Sequence, residues 1–276
     1  MENQNIMANP MSEYGLSFDS INRVLTASKQ LTPSGYELDI VSESEFCLRQ
    51  LNLIPHKSTQ LKLYRSVNGA IFVEEGLVVL KIIEKDGNTK WHLLKKGDVF
   101  QIPKMIAHSL YSFEKSVVYF FGDSASKEDV YCLEPAPSSV KLQVEDFSEK
   151  KTEVNIKHTF DYREKYWGSI ESILSDDYAA KRIVLKAGSR GSMEFHCKKK
   201  EAYFLQSGLV KVGVRVGRAE NKSLILNPGD AFVIPVGLMH CRMGLEDSVI
   251  IEVSTKDDDK DSHLVEDGNT YQHVDS

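Results

Sequence analysis

Long hydrophobic runs are missing from this sequence. The longest, Gly69 to Phe72 and Leu77 to Ile83, are strand-sized and fall far short of the roughly 20 apolar residues that a bilayer helix requires. No segment is expected to span a membrane. Positive charge is in deficit as well, with 34 Lys and Arg against 40 Asp and Glu, so nothing draws the chain as a whole to phosphodiester backbones or anionic lipid. Nucleic acid is therefore not an expected partner. Cysteine is scarce: Cys47, Cys132, Cys197 and Cys241 lie far apart with no CxxC pair. That spacing argues against a zinc knuckle or a redox pair and leaves free buried thiols as the reading. A basic, apolar leader is also lacking. Met1 to Ser20 carries acidic and amide residues instead, and a cytoplasmic location is expected.

Helix signals are few. Phe18 to Lys29 has a loosely amphipathic pattern, and Tyr166 to Leu174 is long enough for one or two turns. What the sequence has in abundance is a repeat. Gly97-Asp98-Val99-Phe100-Gln101-Ile102-Pro103, with His108 five residues later, returns as Gly229-Asp230-Ala231-Phe232-Val233-Ile234-Pro235 with His240. The offset is 132 residues, and it also carries Gly76 onto Gly208, Phe72 onto Phe204 and Ala70 onto Ala202 without a gap. A 276-residue chain built this way is an internal duplication. Each copy reads as short β-branched and aromatic runs punctuated by Gly, Pro, Asn and Asp, with period-two alternation in stretches such as Leu209 to Val216. The Gly-Asp pair turns into a strand, and the Pro closes it because it has no N–H for a ladder. The fold class is all-β, two tandem small barrels or jelly rolls.

The expected organisation is a polar arm with a short helix over 1–30, a first barrel over 31–133, a linker over 134–147 that starts at Glu134-Pro135-Ala136-Pro137, a second barrel over 148–255, and an acidic tail or loose cover over 256–276.

The second copy carries the chemistry. Side chains two apart on a strand share a face, so Glu194 and His196 can converge; Glu201 opens the next strand and His240 follows the second turn motif. Two imidazoles and two carboxylates meeting inside one barrel form a candidate site for one divalent metal ion. The mixed N/O set suits Mn, Fe, Co, Ni or Zn, and the absence of thiolate argues against a structural zinc cage. The same alternation puts Tyr203 on the face of Glu201, Arg242 on that of His240, and Ser192 on that of Glu194. Arg242 is a candidate for an anionic substrate group. Lys198-Lys199-Lys200 is either a solvated loop or a basic rim that attracts substrate, with Lys198 as the candidate contact. Cys197 and Cys241, next to ligands in sequence, should face away from the metal.

These residues resemble the motifs of the cupin superfamily, G-x5-HxH-x3,4-E-x6-G and G-x5-P-x-G-x2-H-x3-N. His196, four residues, Glu201, six residues and Gly208 match the first motif from its second histidine onward. Gly229, five residues, Pro235, Gly237 and His240 match the second. Glu194 stands where the first histidine would be, a replacement that occurs in the superfamily, and Gly244 replaces the usual final Asn. With the duplication, the resemblance implies a two-cupin chain. In the first copy Lys62, Tyr64, Gly69 and His108 stand at the four ligand positions, so that barrel is expected to lack a metal.

A narrower resemblance, to type II phosphomannose isomerase and related sugar isomerases, rests on Ile251-Glu252-Val253-Ser254-Thr255, the following Asp261 and Val265-Glu266-Asp267, and the Tyr166-Trp167-Gly168 entry. It implies a metal-dependent aldose–ketose isomerase or epimerase acting on a sugar or sugar phosphate, with Glu201 or Tyr203 as the base. An Fe(II)-dependent dioxygenase and a non-catalytic sugar-binding accessory protein remain alternatives. Barrels of this kind pair edge strands, so a homodimer is expected, an arrangement in which the N-terminal arm can take part.

Overall fold

A computed structural model of the chain describes residues 21, 24–124, 129–138, 141–148, 156–158 and 161–268. It is nearly all β-structure, arranged as two barrels, each made of two sheets. In the first barrel a seven-stranded sheet runs in the order Ile156–His158, Asp98–Ile102, Gly69–Glu75, Ser116–Gly122, Cys47–Leu53, Gly35–Ser42, Ser28–Thr32. It packs on Val130–Glu134, Leu61–Tyr64, Ala107–Ser112, Leu77–Ile83 and Thr89–Lys95. In the second barrel the order is Val24–Thr26, Asp230–Ile234, Glu201–Ser207, Ser248–Thr255, Tyr178–Leu185, Gly168–Ser175, Asp161–Lys165. The opposing sheet is Lys222–Leu226, Val210–Arg215, Met239–Gly244, Met193–His196, Ser262–Glu266. Among the described residues no helix is long and apolar enough to cross a membrane.

The duplication explains how the barrels are joined. Glu201–Ser207 is buried on both faces, and its alternation sends the two faces to different places. Tyr203 and Leu205 pack inside their own barrel, whereas Ala202 and Phe204 enter a core shared with the first barrel. Their counterparts behave alike: Ile71 and Val73 face inward, and Ala70 and Phe72 enter the same shared core. Polar groups tie the contact. Arg182 Nε donates to both oxygens of Glu74 at 3.1 and 3.2 Å, Gln206 Nε2 donates to Glu74 at 3.2 Å, and Tyr119 Oη donates to Gln206 at 2.8 Å.

The barrels also exchange edge strands. Val24–Thr26 pairs with Asp230–Ile234 of the second barrel, and Ile156–His158 pairs with Asp98–Ile102 of the first. The registers, Val24 opposite Phe232 and Ile156 opposite Phe100, are the same contact shifted by the repeat. The described part of the arm thus pairs with a strand edge of its own chain.

Several expectations change. Of the helix foreseen over Phe18 to Lys29, residues 18–20, 22 and 23 lie outside the described residues, while Val24–Thr26 and Ser28–Thr32 are strands, because pairing partners override a weak local pattern. Gly168–Ser175 is a strand where a helical turn was expected. The linker range opens with the end of a strand, Val130–Glu134, and closes in the short helix Glu145–Ser148, whose Phe147 packs near Trp91 and Phe113. Within the acidic segment after 256, Ser262–Glu266 is a strand that pairs with Met193–His196. Cys132 and Cys197 are exposed, and only Cys47 and Cys241 are buried. One glycine requirement is common to both copies. Gly76 and Gly208 have φ of 94° and 87°, and a Cβ at either would overlap the serine that opens the neighbouring strand of the sheet, Ser116 or Ser248, and the carbonyl before it.

Candidate metal centre

Three of the four expected ligands close on one point. Donor atoms of Glu194, His196 and His240 lie within 4.8 Å of one another. The sheet makes this meeting: Glu194 and His196 are alternate residues of one strand, and Glu194 is the direct cross-strand partner of His240. Both imidazoles are held from behind by carbonyls, His240 Nδ1 by Leu238 O at 2.9 Å and His196 Nδ1 by Asp261 O at 3.0 Å. An Nδ1–H donated backwards leaves Nε2 as the free lone pair, the tautomer a metal ligand needs.

Glu201 completes the set differently. Its Oε1 lies 2.8 Å from His240 Nε2, and neither of these buried atoms has a further hydrogen-bond partner. With the His240 proton on Nδ1, these are two buried acceptors side by side, which is costly. A cation shared among these groups removes the cost, so the residues fit a divalent ion. Burial alone would raise the Glu201 carboxyl, but Lys199, then His240, hold it well below the usual carboxylate range. Burial likewise works against a charged His240, and Glu201 and Glu194 carry it upward. Glu194 is lowered against its burial, by Arg242 and His240 and by the Ser262 hydroxyl, which donates to Oε2 at 2.5 Å.

A cavity of about 290 Å³ opens over these groups. Arg242 and Ser192 line it, as expected from alternation. Arg242 Nη1 donates to Tyr203 Oη at 2.8 Å and stands 3.7 Å from Glu194. Tyr203 itself is fully buried and outside the cavity lining. Burial pushes its phenol well above the ordinary value, so it is a neutral acceptor that orients Arg242 rather than a base facing substrate. Lys198 is a second correction: it is exposed and outside the cavity, and Lys199 faces inward instead. Lys199 Nζ lies 2.6 Å from Glu201 Oε2, 3.0 Å from Glu252 and 3.1 Å from Asp257, and Lys181 reaches Asp257 at 2.8 Å. Lys199 has the parity of Glu201 and Tyr203, which was the signal available in the sequence.

The other unexpected element is the segment after the barrel. Asp259–Asp261 is one 3-10 turn, and the Asp261 carboxylate accepts the backbone N–H groups of Cys197, Lys198 and Lys199 at 3.0, 3.0 and 2.9 Å. Its carbonyl supports His196, and the next residue, Ser262, holds Glu194. Cys241 packs with Met193 and Met243, away from the ligands. In the first barrel the frame is kept without the ligands. Lys62 lies opposite His108 as Glu194 lies opposite His240, and His108 Nδ1 faces Ile106 O at 3.1 Å. Burial, with Lys62, pushes His108 down to about 4.

Solved structures similar to this fold include oxalate decarboxylases. One, whose substrate-binding mode and reaction-specificity switch have been described, has a TM-score of 0.73 at 13% identity, covering 88% of this chain and 79% of that one. A single-residue variant of the Bacillus subtilis enzyme gives 0.72 at 14% identity, over 86% and 78%. The Bacillus subtilis enzyme studied for its Mn(II) centres gives 0.72 at 14%, over 88% and 79%. The likeness establishes the fold across both barrels. No protein-family model and no curated protein matches the sequence.

Proposed function

We propose that the second barrel is the site of a divalent-metal-dependent enzyme that isomerises or epimerises a small sugar or sugar phosphate. The observation that carries the proposal is the convergence of donor atoms of Glu194, His196 and His240 beside a polar cavity, with Glu201 Oε1 and His240 Nε2 buried 2.8 Å apart. When bound there, a divalent ion supplies Lewis-acid polarisation of neighbouring substrate oxygens. The chain's own residues supply the rest. Arg242 presents a fixed guanidinium to an anionic group such as a phosphate. The Lys199, Lys181, Glu252 and Asp257 wall offers donors and acceptors to hydroxyls, and Trp167 provides an apolar side. Of the two expected bases only Glu201 borders the cavity, and Lys199 keeps it ionised, the form able to accept a proton. Asp257, Asp258, Asp259, Ser262 and Leu264, from the segment after the barrel, also line the cavity.

A second reading follows from the structural neighbours: decarboxylation of a small dicarboxylate, for which Arg242 would hold one carboxylate. Both readings are tested on protein purified without chelators. Elemental analysis is expected to give one divalent ion per chain, and NMR of a sugar and sugar-phosphate panel to reveal an interconverted pair. Turnover should stop on chelation, return with one added metal, and be absent in His240→Ala. Formate production from oxalate with no sugar turnover selects the second reading. Absence of bound metal in protein that is folded and supplied with Mn, Fe and Zn overturns both.

A further inference from the structure

The strand pair that carries the metal centre has a second face. Glu194 and His196 point into the barrel, so Phe195 between them points outward. Its cross-strand partner His263 stacks on it, with ring centroids 5.0 Å apart and planes 25° from parallel. Cys197 follows at the end of the strand and is exposed, as His263 is. The Asp261 carboxylate lies beside them. One ligand atom from each of Cys197, Asp261 and His263 falls within 4.8 Å of the other two. None of the three residues lines the cavity over the metal centre.

Two of the groups are fixed in place. The carboxylate of Asp261 accepts the backbone N–H of Cys197 on Oδ1 and those of Lys198 and Lys199 on Oδ2, and Phe195 sets the plane of the imidazole. An ionised carboxylate has about four lone-pair directions, so one on Oδ1 is left. Oδ1 is also the oxygen that faces His263, whose Nε2 is 4.0 Å away. That is too far for a hydrogen bond and wide enough to admit an ion. Zinc bonds of about 2.0–2.2 Å to nitrogen and oxygen put two tetrahedral ligand atoms roughly 3.3 Å apart, a spacing that a small rotation of the exposed imidazole achieves.

The donor set points to the ion. Thiolate, imidazole and carboxylate are the ligands that zinc takes, whereas Mg, Ca and Mn favour oxygen. Thiolate and carboxylate together carry two negative charges, which a divalent ion cancels. The centre inside the barrel has no sulfur ligand, so the two clusters differ in the ions they suit.

We propose that Cys197, Asp261 and His263 form an outer zinc site, completed by water, back to back with the metal centre across one strand pair. Asp261 serves both, through its carboxylate outside and through its carbonyl on His196 inside. With two of its ligands exposed, the outer ion exchanges more readily than the enclosed one and is loaded by adding zinc. The site stands whatever reaction the barrel catalyses.

Cobalt(II) titration of the full chain, reduced and stripped of metal, tests this. Thiolate coordination gives Co(II) a near-ultraviolet charge-transfer band that nitrogen and oxygen ligands do not, so the band reports the outer site alone. It is expected in the parent and should be removed by added zinc, which binds such ligands more tightly than cobalt. Cys197→Ser should abolish the band, and His263→Ala should weaken cobalt binding at this site at least tenfold. Cys132→Ser, at the other exposed thiol, and His240→Ala, in the barrel centre, should leave it unchanged. Failure of either metal site is thus read separately from failure of the other. Circular dichroism checks folding, and Cys197→Ser decides if His263→Ala does not fold. The proposal is overturned if the parent gives no band, if the band survives Cys197→Ser, or if folded His263→Ala binds cobalt as the parent does. Zinc that does not displace cobalt, or loss of the band in folded Cys132→Ser or His240→Ala, overturns it equally.

Discussion

Asp261 is expected to hold two ligands of the barrel centre in place although it is not one of them. Replacing it with alanine removes an acceptor that takes three backbone N–H groups, those of Cys197, Lys198 and Lys199, at 2.9 to 3.0 Å. Hydrogen bonds to a charged group contribute about 1.5–3 kcal/mol each. Amides freed in this turn regain water, so the three are not additive, and a loss of about 3 kcal/mol in unfolding free energy is the reasoned size. The larger effect falls on the metal. The Asp261 carbonyl orients His196, and the Ser262 hydroxyl holds Glu194, so releasing the turn lets both ligands rotate. Loss of such outer support typically costs about 10–100-fold in metal affinity. Urea denaturation would measure the first quantity and competition titration with a chromophoric chelator, in a Cys197→Ser background, the second. Asp261→Asn, which keeps one carbonyl oxygen, should fall between alanine and the parent. If Asp261→Ala binds metal with parental affinity while measurably less stable, the segment is a structural staple and its assigned effect on the ligands is wrong.

Other consequences follow from the same geometry. Gly208→Ala forces a side chain into a positive-φ residue against Ser248 and the Asp247 carbonyl, and should cost about 3 kcal/mol in urea denaturation, through backbone strain plus overpacking. Glu74→Ala strips Arg182 of its bidentate partner across the barrel contact, where a charged hydrogen-bonded pair is worth about 2 kcal/mol; Glu74→Gln should recover part of the loss. Asp257 and Asp261 are both held low in the folded chain, in each case against their burial, Asp257 chiefly by Lys199 and Lys181 and Asp261 by backbone N–H groups. Their stabilisation is therefore complete above the unfolded carboxyl value of about 4 and is lost as pH falls through the lower folded values. A stability profile that stays flat from pH 6 to 2 contradicts this. In metal-free protein His240 is raised by Glu201, so its contribution is present below about pH 6.5 and disappears as pH rises through the folded value, whereas metal affinity increases over the same span because the imidazole must give up its proton.

The barrels and the core of the site were readable because both depend on local spacing. Alternation within Met193–His196 puts Glu194 and His196 on one face whatever the rest of the chain does, and the repeat aligns His240 with a known turn. Lys199 and Asp261 were hidden for the opposite reason. Lys199 shares the parity of Glu201, but it sits at the end of a bend, where that signal is weak, and the neighbouring Lys198 points to solvent. Asp261 acts through its carboxylate on a loop more than sixty residues away in sequence, a contact that no local pattern encodes. The polar strand Ser262–Glu266 has no apolar face to announce it; it exists because Met193–His196 offers it an edge. Val24–Thr26 was missed likewise, since three residues take their conformation from the partner strand rather than from propensity.

What the duplication kept separates architecture from chemistry. Ala70 and Phe72 match Ala202 and Phe204 because the four meet in one shared core, where a change on one side leaves a void against the other. Val24–Thr26 and Ile156–His158 remain strands in matching registers because each closes the other half's sheet. No such reciprocity binds position 62 to position 194, which look into different cavities. There the side chains have diverged to opposite charge while the supporting hydrogen bond, His108 to Ile106 and His240 to Leu238, persists. A lysine at 62 and a glutamate at 194 are thus two answers to one physical problem, how to keep polar groups in a dry barrel. The first brings its own positive charge covalently attached, and the second collects donors around a charge that must be bound. Stripping divalent metal should consequently loosen the second barrel, seen as faster amide exchange in Met193–His196 and Met239–Gly244, and leave the exchange of Leu61–Tyr64 and Ala107–Ser112 as it was.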